Sequence, residues 1–358
     1  MKALILAGGK ATRLEPLTIN TPKALIPVLN VPFLEYIIRN LAGHGIEEMV
    51  LAMGHLSRPI EDHLGDGSKF GIRLHYSIED SPLGSAGAAK NAEKYLEGTF
   101  LVLNGDIFTD MDFTAMIELH REKKAKATIA VTPVDDPSRY GLVDTDERGR
   151  VTRFLEKPKP EEITTNMINA GAWLVEPDVL SRIPPRTQFS FERNVFPQLL
   201  AQGEPAYAYA ISGYWIDMGT PETYLQLHHD LLGGKSKHYN PAEGLVVGEN
   251  TDIHPEAEVT GPVLIGDDCS IGQGVRLIGP VVIGDGCTIG EDSVVQESVI
   301  WQNVKLGRRV SLRNCVIADN CNLNAGSGAE DSVLGDNVTV VSDYRLKPGS
   351  KIEPGATI

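Results

Sequence analysis

Up to about residue 228, apolar positions fall in short runs separated by longer stretches of mixed character. Residues 2–7, 49–53, 100–103, 128–134 and 173–175 are rich in Val, Ile and Leu, the composition of buried strands. Between several of them, at 33–41, 86–96 and 114–123, apolar side chains recur with helical spacing. Strands alternating with helices predict an α/β domain built on a mostly parallel sheet covered on both faces. Such sheets bind ligands outside the carboxyl ends of their strands, so the loops that follow strands are where chemistry is expected. Thr220-Pro221-Glu222 has the form of a helix start, with Thr as cap and Pro in the first turn, and the helix runs to about Leu232. His228 and His229 are expected on its exposed face. A Gly-, Ser- and Pro-containing linker follows.

From Val247 the period becomes six. Large aliphatics stand at Val247, Ile253, Val259, Ile265, Ile271, Leu277, Ile283, Ile289 and Val295. Four positions after each comes a small or β-branched residue, from Thr251 and Ala257 through Cys269 to Val299. This predicts a left-handed parallel β-helix, with three faces of six residues in each coil of about eighteen. The units that begin at Val295, Leu312 and Ala329 are one residue short, reaching Ile300, Ile317 and Leu334 after five. The same corner is therefore tightened in three successive coils, of about six in all. The expected division is 1–232 for the α/β domain, 233–246 for the linker and 247–358 for the β-helix.

Composition narrows the partners. The 358 residues are more than one core ordinarily organises, in keeping with two domains. A formal net charge of −15 argues against nucleic acid, whose binding relies on Lys and Arg neutralising phosphates. Residues 1–7 lack the features of a signal peptide, and no apolar run is long enough to span a membrane, so a cytoplasmic location is expected. Cys269, Cys287, Cys315 and Cys321 show no CxxC spacing and read as reduced, buried side chains. Cys269 and Cys287 should stack on adjacent coils within disulfide reach, but a reducing compartment favours the thiols.

The first motif with chemical content closes the first strand. Leu6-Ala7-Gly8-Gly9-Lys10-Ala11-Thr12-Arg13 is followed by Thr21-Pro22-Lys23. A Gly-rich turn there lets backbone N–H groups approach phosphate oxygens, while Arg13 offers a planar fork and Lys23 a compact charge. The motif is neither a Walker loop nor a dinucleotide fingerprint, since GK[ST] and GxGxxG are both missing.

The whole segment GGKATRLEPLTINTPKALIPV resembles the signature of the sugar-phosphate nucleotidyltransferases, and the resemblance extends along the chain. Leu83-Gly84-Ser85-Ala86-Gly87-Ala88 is similar to the family's LGTAGA, and Asn104-Gly105-Asp106 to its NGD. Glu156-Lys157-Pro158 matches EKP, Asn169-Ala170-Gly171 matches NAG, and the segment around Trp215-Ile216-Asp217 matches GYWxDxGT. The branch it most resembles is that of the mannose-1-phosphate guanylyltransferases, through SFERNVFPQLL. Ala11 departs from the family's Gly; it keeps its N–H, but if the turn needs a positive φ it adds about 1 kcal/mol of strain.

The resemblance implies a Rossmann-like nucleotidyltransferase domain that joins a nucleoside triphosphate to a sugar 1-phosphate and releases pyrophosphate. It implies that Asp106 and Asp217 hold Mg²⁺ and that Arg13 and Lys23 handle the phosphates. The nucleotide would sit against Leu6, Ala7, Gly8, Gly9 and Gly84, and the sugar phosphate against Gly141, Glu156, Lys157, Asn169 and Gly171. Glu79 stands where thymidylyltransferases of the family carry Gln. A carboxylate only accepts hydrogen bonds, which suits the paired N–H donors of guanine and favours GTP; a solvated Glu79-Asp80 loop pair is the plainer reading. UDP-glucose or dTDP-glucose synthesis and a non-catalytic regulatory subunit stay open. An acyltransferase using the tail is disfavoured, since His254 in the first coil is the one histidine in the coils that could serve it. Self-association through the β-helix is expected.

Overall fold

The computed structural model describes residues 1–9, 11–54, 57–237 and 244–358. Residues 238–243 of the expected linker lie outside the described residues. By packing, the chain forms two compact units, one of Met1–Lys10 and Leu34–Trp215, the other of Ala11–Phe33 and Ile216–Ile358.

The first unit is organised by a nine-stranded sheet. β1 (Lys2–Leu6) lies between β2 (Glu48–Met53) and β4 (Phe100–Asn104), and β3 (Arg73–Ile78) flanks β2; these four strands are parallel. Their apolar runs are buried on both faces, with Leu4 paired to Val50 and Val102, all fully buried. Beyond β4 the sheet turns antiparallel through the long β8 (Met167–Val175), which pairs with β4, β5 (Ala127–Pro133) and β6 (Gly141–Thr145). β7 (Val151–Glu156) and β9 (Ala206–Ala210) complete it. The sheet is thus the expected Rossmann-like α/β layer with an antiparallel extension. β3 and β7 carried no clear apolar run because polar residues such as Arg73, His75, Thr152 and Arg153 interrupt them. Under the extension, Trp173, Phe191, Phe196 and Phe154 form one aromatic cluster. The helix α1 (Gly84–Asn91) buries Ala86, Gly87, Ala88 and Ala89, small residues that let it lie close to its neighbours.

The second unit is the left-handed β-helix together with the segment Ala11–Phe33 and the helix α2 (Pro221–Leu232). Three parallel sheets of seven, six and five strands form its faces. One column runs Ile265, Ile283, Ile300, Ile317, Leu334, Ile352, stepping by 18, then three times by 17, then by 18. The tightened corner follows the Val295–Leu312–Ala329 column, where Glu297, Asn314 and Asp331 take φ of 48, 53 and 48°. The four cysteines are buried thiols; Cys269 donates to the Gly284 carbonyl (3.1 Å) and Cys287 to that of Trp301 (3.0 Å). Among the described residues no helix is long and apolar enough to cross a membrane.

α2 starts as expected, Thr220 capping the Thr223 N–H. His228, however, is buried rather than exposed. It stands one turn after Tyr224 on the apolar face with Leu227 and Leu231, its ring edge-on to Tyr224 at 4.5 Å. Burial, with a smaller contribution from the neighbouring His229, pushes its pKa down to about 3. Above the ordinary histidine value of about 6.5, folded and unfolded chains both hold it neutral. Below that value only the unfolded chain takes up the proton, so stability falls as pH drops from about 6.5 towards 3, by at most about 1.4 kcal/mol per pH unit. Urea unfolding at pH 7 and pH 5 should show this loss, and His228→Leu should reduce it; an unchanged pH dependence in the variant would contradict the assignment.

Candidate functional site

In the first unit the sequence-predicted residues gather at the carboxyl end of β1. Leu6, Gly8, Gly9, Glu79 and Gly84 line a cavity of about 230 Å³, joined by Ala52, Pro82, Ser85 and Ala88. Ala7 is off this lining, its N–H donating to the Ala52 carbonyl (2.9 Å). Glu79 follows β3, and its carboxylate accepts the Leu83 N–H (3.0 Å), which folds the 79–83 turn over the cavity; burial pushes its pKa up, partly offset by that hydrogen bond. Gly84 begins α1 with φ of 73°, and a Cβ there would lie 2.7 Å from the Phe189 carbonyl. Nothing but glycine fits.

Three motifs from distant parts of the chain meet beside this cavity. Gly105 donates to the Leu6 carbonyl (2.9 Å), and a Cβ at Gly105 would stand 2.8 Å from that oxygen, so its lack of a side chain sets Asp106 at the end of β1. Gly171 (φ 77°) presses against Asn104, in the bulge where β8 shifts register. The Asn169 Oδ1 accepts from Gly171 N (3.1 Å) and Trp173 Nε1 (2.7 Å), so its amide NH₂ is the group left to serve as donor. Glu156 pairs with Gly141 across β7 and β6, and a Cβ on Gly141 would lie 2.8 Å from Glu156 Oε2. Burial, then the charge of Glu192, raises the Glu156 pKa, with Lys157 and Arg193 opposing. Lys157 is exposed at φ 53°, its N–H donating to the Tyr140 carbonyl (3.1 Å).

Two features here were not assigned from sequence. Glu192 is fixed by Ser85 Oγ (2.6 Å) and Ser190 Oγ (2.5 Å), bringing the SFERN segment to α1 and its charge to Glu156. Tyr140 meets Trp215 edge-on at 5.9 Å, and Trp215 Nε1 donates to the Ala170 carbonyl (3.0 Å). The SFERN resemblance was a signal for the first and the GYWxDxGT match for Trp215 in the second, but neither motif names the partner, which is met only in the folded chain.

Arg13, Lys23 and Asp217 belong to the second unit. Arg13 comes within 3.9 Å of Asp217, and a Cβ on Gly219 would stand 2.8 Å from the Arg13 guanidinium and 3.0 Å from Asp217 Oδ1. Ala11 takes φ 50° and ψ 36°, the left-handed conformation in which alanine carries strain of about 1 kcal/mol. Its carbonyl accepts from Leu14 N and Thr18 Oγ1 (both 3.0 Å), which holds the strained turn in place.

A nucleotidyl transferase family profile matches residues 2–233, well over half of the chain. The chain belongs to the nucleotidyl transferase family. A GMPPB C-terminal domain profile matches residues 259–358. The chain is 41% identical over 234 residues to a mannose-1-phosphate guanylyltransferase of Mycobacterium tuberculosis, covering 65% of each. It is 38% identical over 273 residues to a mannose-1-phosphate guanyltransferase of Yarrowia lipolytica, covering 73% of each. A UTP–glucose-1-phosphate uridylyltransferase of Synechocystis is 35% identical over 327 residues, 86% of this chain and 84% of that one. Among solved structures, HddC from Yersinia pseudotuberculosis complexed with GMP-PN superposes with a TM-score of 0.55 at 30% identity, over 63% of this chain and 97% of that one.

Members of this family generally use a divalent metal. Among the described residues no three His, Cys, Asp or Glu side chains cluster to hold one. Hard carboxylate oxygens such as those of Asp106 suit a divalent ion that keeps water and phosphate oxygens in its shell. Because Gly141 leaves room for the Glu156 carboxylate and for the buried Phe154 ring, which a Cβ would approach to 2.8 and 2.9 Å, Gly141→Ala should raise KM for a sugar 1-phosphate at least about tenfold and lower the melting temperature by overpacking. Unchanged KM would remove Glu156 from the sugar site.

Proposed function

We propose that the protein joins GTP to mannose 1-phosphate, forming GDP-mannose and pyrophosphate. The observation that carries this reading is the cavity at the end of β1, lined by Glu79 and by the glycines of two signature motifs. A sugar-phosphate oxygen attacks the α-phosphorus of GTP, a new P–O bond forms, and the bond to the β-phosphate oxygen breaks as pyrophosphate leaves. Both reactants are anions, so positioning and electrostatic stabilisation supply most of the catalysis, with no covalent protein intermediate. Arg13 is assigned to the β- and γ-phosphates and Lys23 to the α-phosphate. Lys157 holds the sugar phosphate, Glu156 accepts from sugar hydroxyls, and Asn169, Gly141 and Gly171 complete that side. Asp106 and Asp217 hold Mg²⁺, which supplies charge neutralisation at the phosphates. Residues 1–232 carry this chemistry in our reading, 233–246 link, and 247–358 serve self-association in the cytoplasm.

Two relatives favour a second reading within the same chemistry, with UTP or dTTP and glucose 1-phosphate: the Synechocystis uridylyltransferase, and a putative glucose-1-phosphate thymidylyltransferase structure from Bacillus anthracis (TM-score 0.59, 26% identity). Pyrophosphate release measured over a matrix of four nucleoside triphosphates and several sugar 1-phosphates should be highest for GTP with mannose 1-phosphate. Asp217→Asn should lower it by at least about a hundredfold with the fold intact. Silence throughout the matrix would point to a regulatory subunit instead. Base choice is assigned to Glu79, whose carboxylate matches guanine's N1–H and N2–H and repels the carbonyl oxygens of thymine and uracil. Glu79→Gln should therefore shift the GTP/dTTP ratio of kcat/KM by about tenfold towards dTTP; an unchanged ratio would end that assignment.

A further inference from the structure

The segment that carries Arg13 and Lys23 is held by the β-helix unit in a specific way. After Lys23 a single turn (Lys23–Leu25) leads into a small hairpin, Pro27–Val28 against Val31–Pro32, which reverses at Leu29-Asn30 with φ of 47 and 64°. The hairpin tip docks on the coils, where Asn30 Nδ2 donates to the Ile283 carbonyl (2.9 Å). The base of the hairpin is held as well, by the Tyr224 hydroxyl, which donates to the Pro27 carbonyl at 2.5 Å. That hydroxyl in turn accepts from Trp301 Nε1 at 2.9 Å, and Trp301 directly follows the strand Val299–Ile300 of the β-helix. Tyr224 is completely buried and Trp301 is 2% exposed. Burial keeps the phenol protonated far above its usual range, so it remains a donor at working pH.

Tyr224 is also close in sequence to Asp217. It lies in the first turn of α2, whose cap Thr220 follows Asp217-Met218-Gly219 directly. A proline carbonyl is an acceptor that a tight turn must satisfy, and a hydroxyl that donates to it while accepting from an indole is oriented by both bonds. The arrangement does more than fill a core: a Phe would pack as well at Tyr224, yet could not reach Pro27 or receive Trp301.

We propose that Tyr224 is a positioning residue for the transfer reaction and that Trp301 of the β-helix orients it, so that the coils fix Lys23 relative to Asp217 through Trp301 Nε1, Tyr224 OH and Pro27 O. This deepens the function proposed above and rests on it for the role of Lys23. The β-helix then contributes to turnover through a hydrogen-bonded relay without touching substrate.

The test uses full-length protein with Tyr224→Phe and Trp301→Phe. In Tyr224→Phe, kcat should fall about tenfold with KM for both substrates within about twofold; Trp301→Phe should show a smaller loss of the same kind. In a Lys23→Ala background, Tyr224→Phe should have no further effect on kcat, since the two act as one unit. Amide hydrogen exchange should quicken at residues 23–33 in both variants and stay unchanged in the coils at 305–340. Unchanged exchange at 23–33 overturns the relay whatever the activity. Faster exchange with wild-type kcat overturns its catalytic part, as does a loss fully additive with Lys23→Ala. A wild-type protein that releases no pyrophosphate with any substrate pair overturns the functional reading instead, and the exchange data still decide whether the relay holds the segment. If Tyr224→Phe does not fold, Trp301→Phe carries the same readouts.

Discussion

Close approach of backbone to backbone at the carboxyl end of β1 is the constraint on which the first unit's site depends. Gly105 sits where a Cβ would be 2.8 Å from the Leu6 carbonyl, and Gly84 where one would be 2.7 Å from that of Phe189. An alanine at either position would push apart the strand end, the NGD loop and the start of α1. The cavity, Asp106 and the 79–83 turn keep their places because these positions have no side chain. The same economy appears at Gly141 under Glu156 and at Gly219 between Arg13 and Asp217. Space left by missing side chains is filled by charged groups.

Those charges solve a problem set by composition. A chain of net charge −15 repels polyanionic substrates at long range, so the cations we propose for phosphate binding have to be local and held in place. Arg13 and Lys23 lie on a segment that packs with α2 and the coils, not on the sheet that supplies Leu6 and Gly8. The strained Ala11 marks where the chain crosses from one unit to the other. Strain of this kind persists where surrounding contacts over-determine the backbone, and here Thr18 and Leu14 both bond the Ala11 carbonyl.

Much of the architecture was legible because it is written in periodicity. Strand runs and helical spacing located the sheet's parallel half and α2, and the sixfold repeat located the coils. The three shortened units at Val295, Leu312 and Ala329 were found from spacing alone, since a β-helix stacks equivalent positions and any missing residue must appear in each coil's register. Candidate residues could be named wherever a motif is continuous, as at Gly8-Gly9, which line the cavity, and at Asn104-Gly105-Asp106 and Glu156-Lys157. Glu192 and Trp215 lie in motifs, but their contacts could not be assigned from them because the partners, Ser85 and Ala170, are some 107 and 45 residues away. His228 was misplaced for a related reason: a polar residue on a helix reads as solvent-facing until the partner surface is known, and here that face carries Tyr224, Leu227 and Leu231.

The sequence by itself determined the two kinds of fold and the corner tightened in three coils, and it singled out the residues we propose for phosphoryl transfer, because periodicity and short motifs are local properties. Only the tertiary structure decided that the Arg13–Lys23 segment is packed with the β-helix unit, and that Tyr224 and Trp301 join the two through the Pro27 carbonyl. Such contacts link positions 77 and 197 residues apart, and no pattern along a single chain encodes which donor will find which carbonyl. Their existence depends on the stacking of the coils, which brings Trp301 to α2.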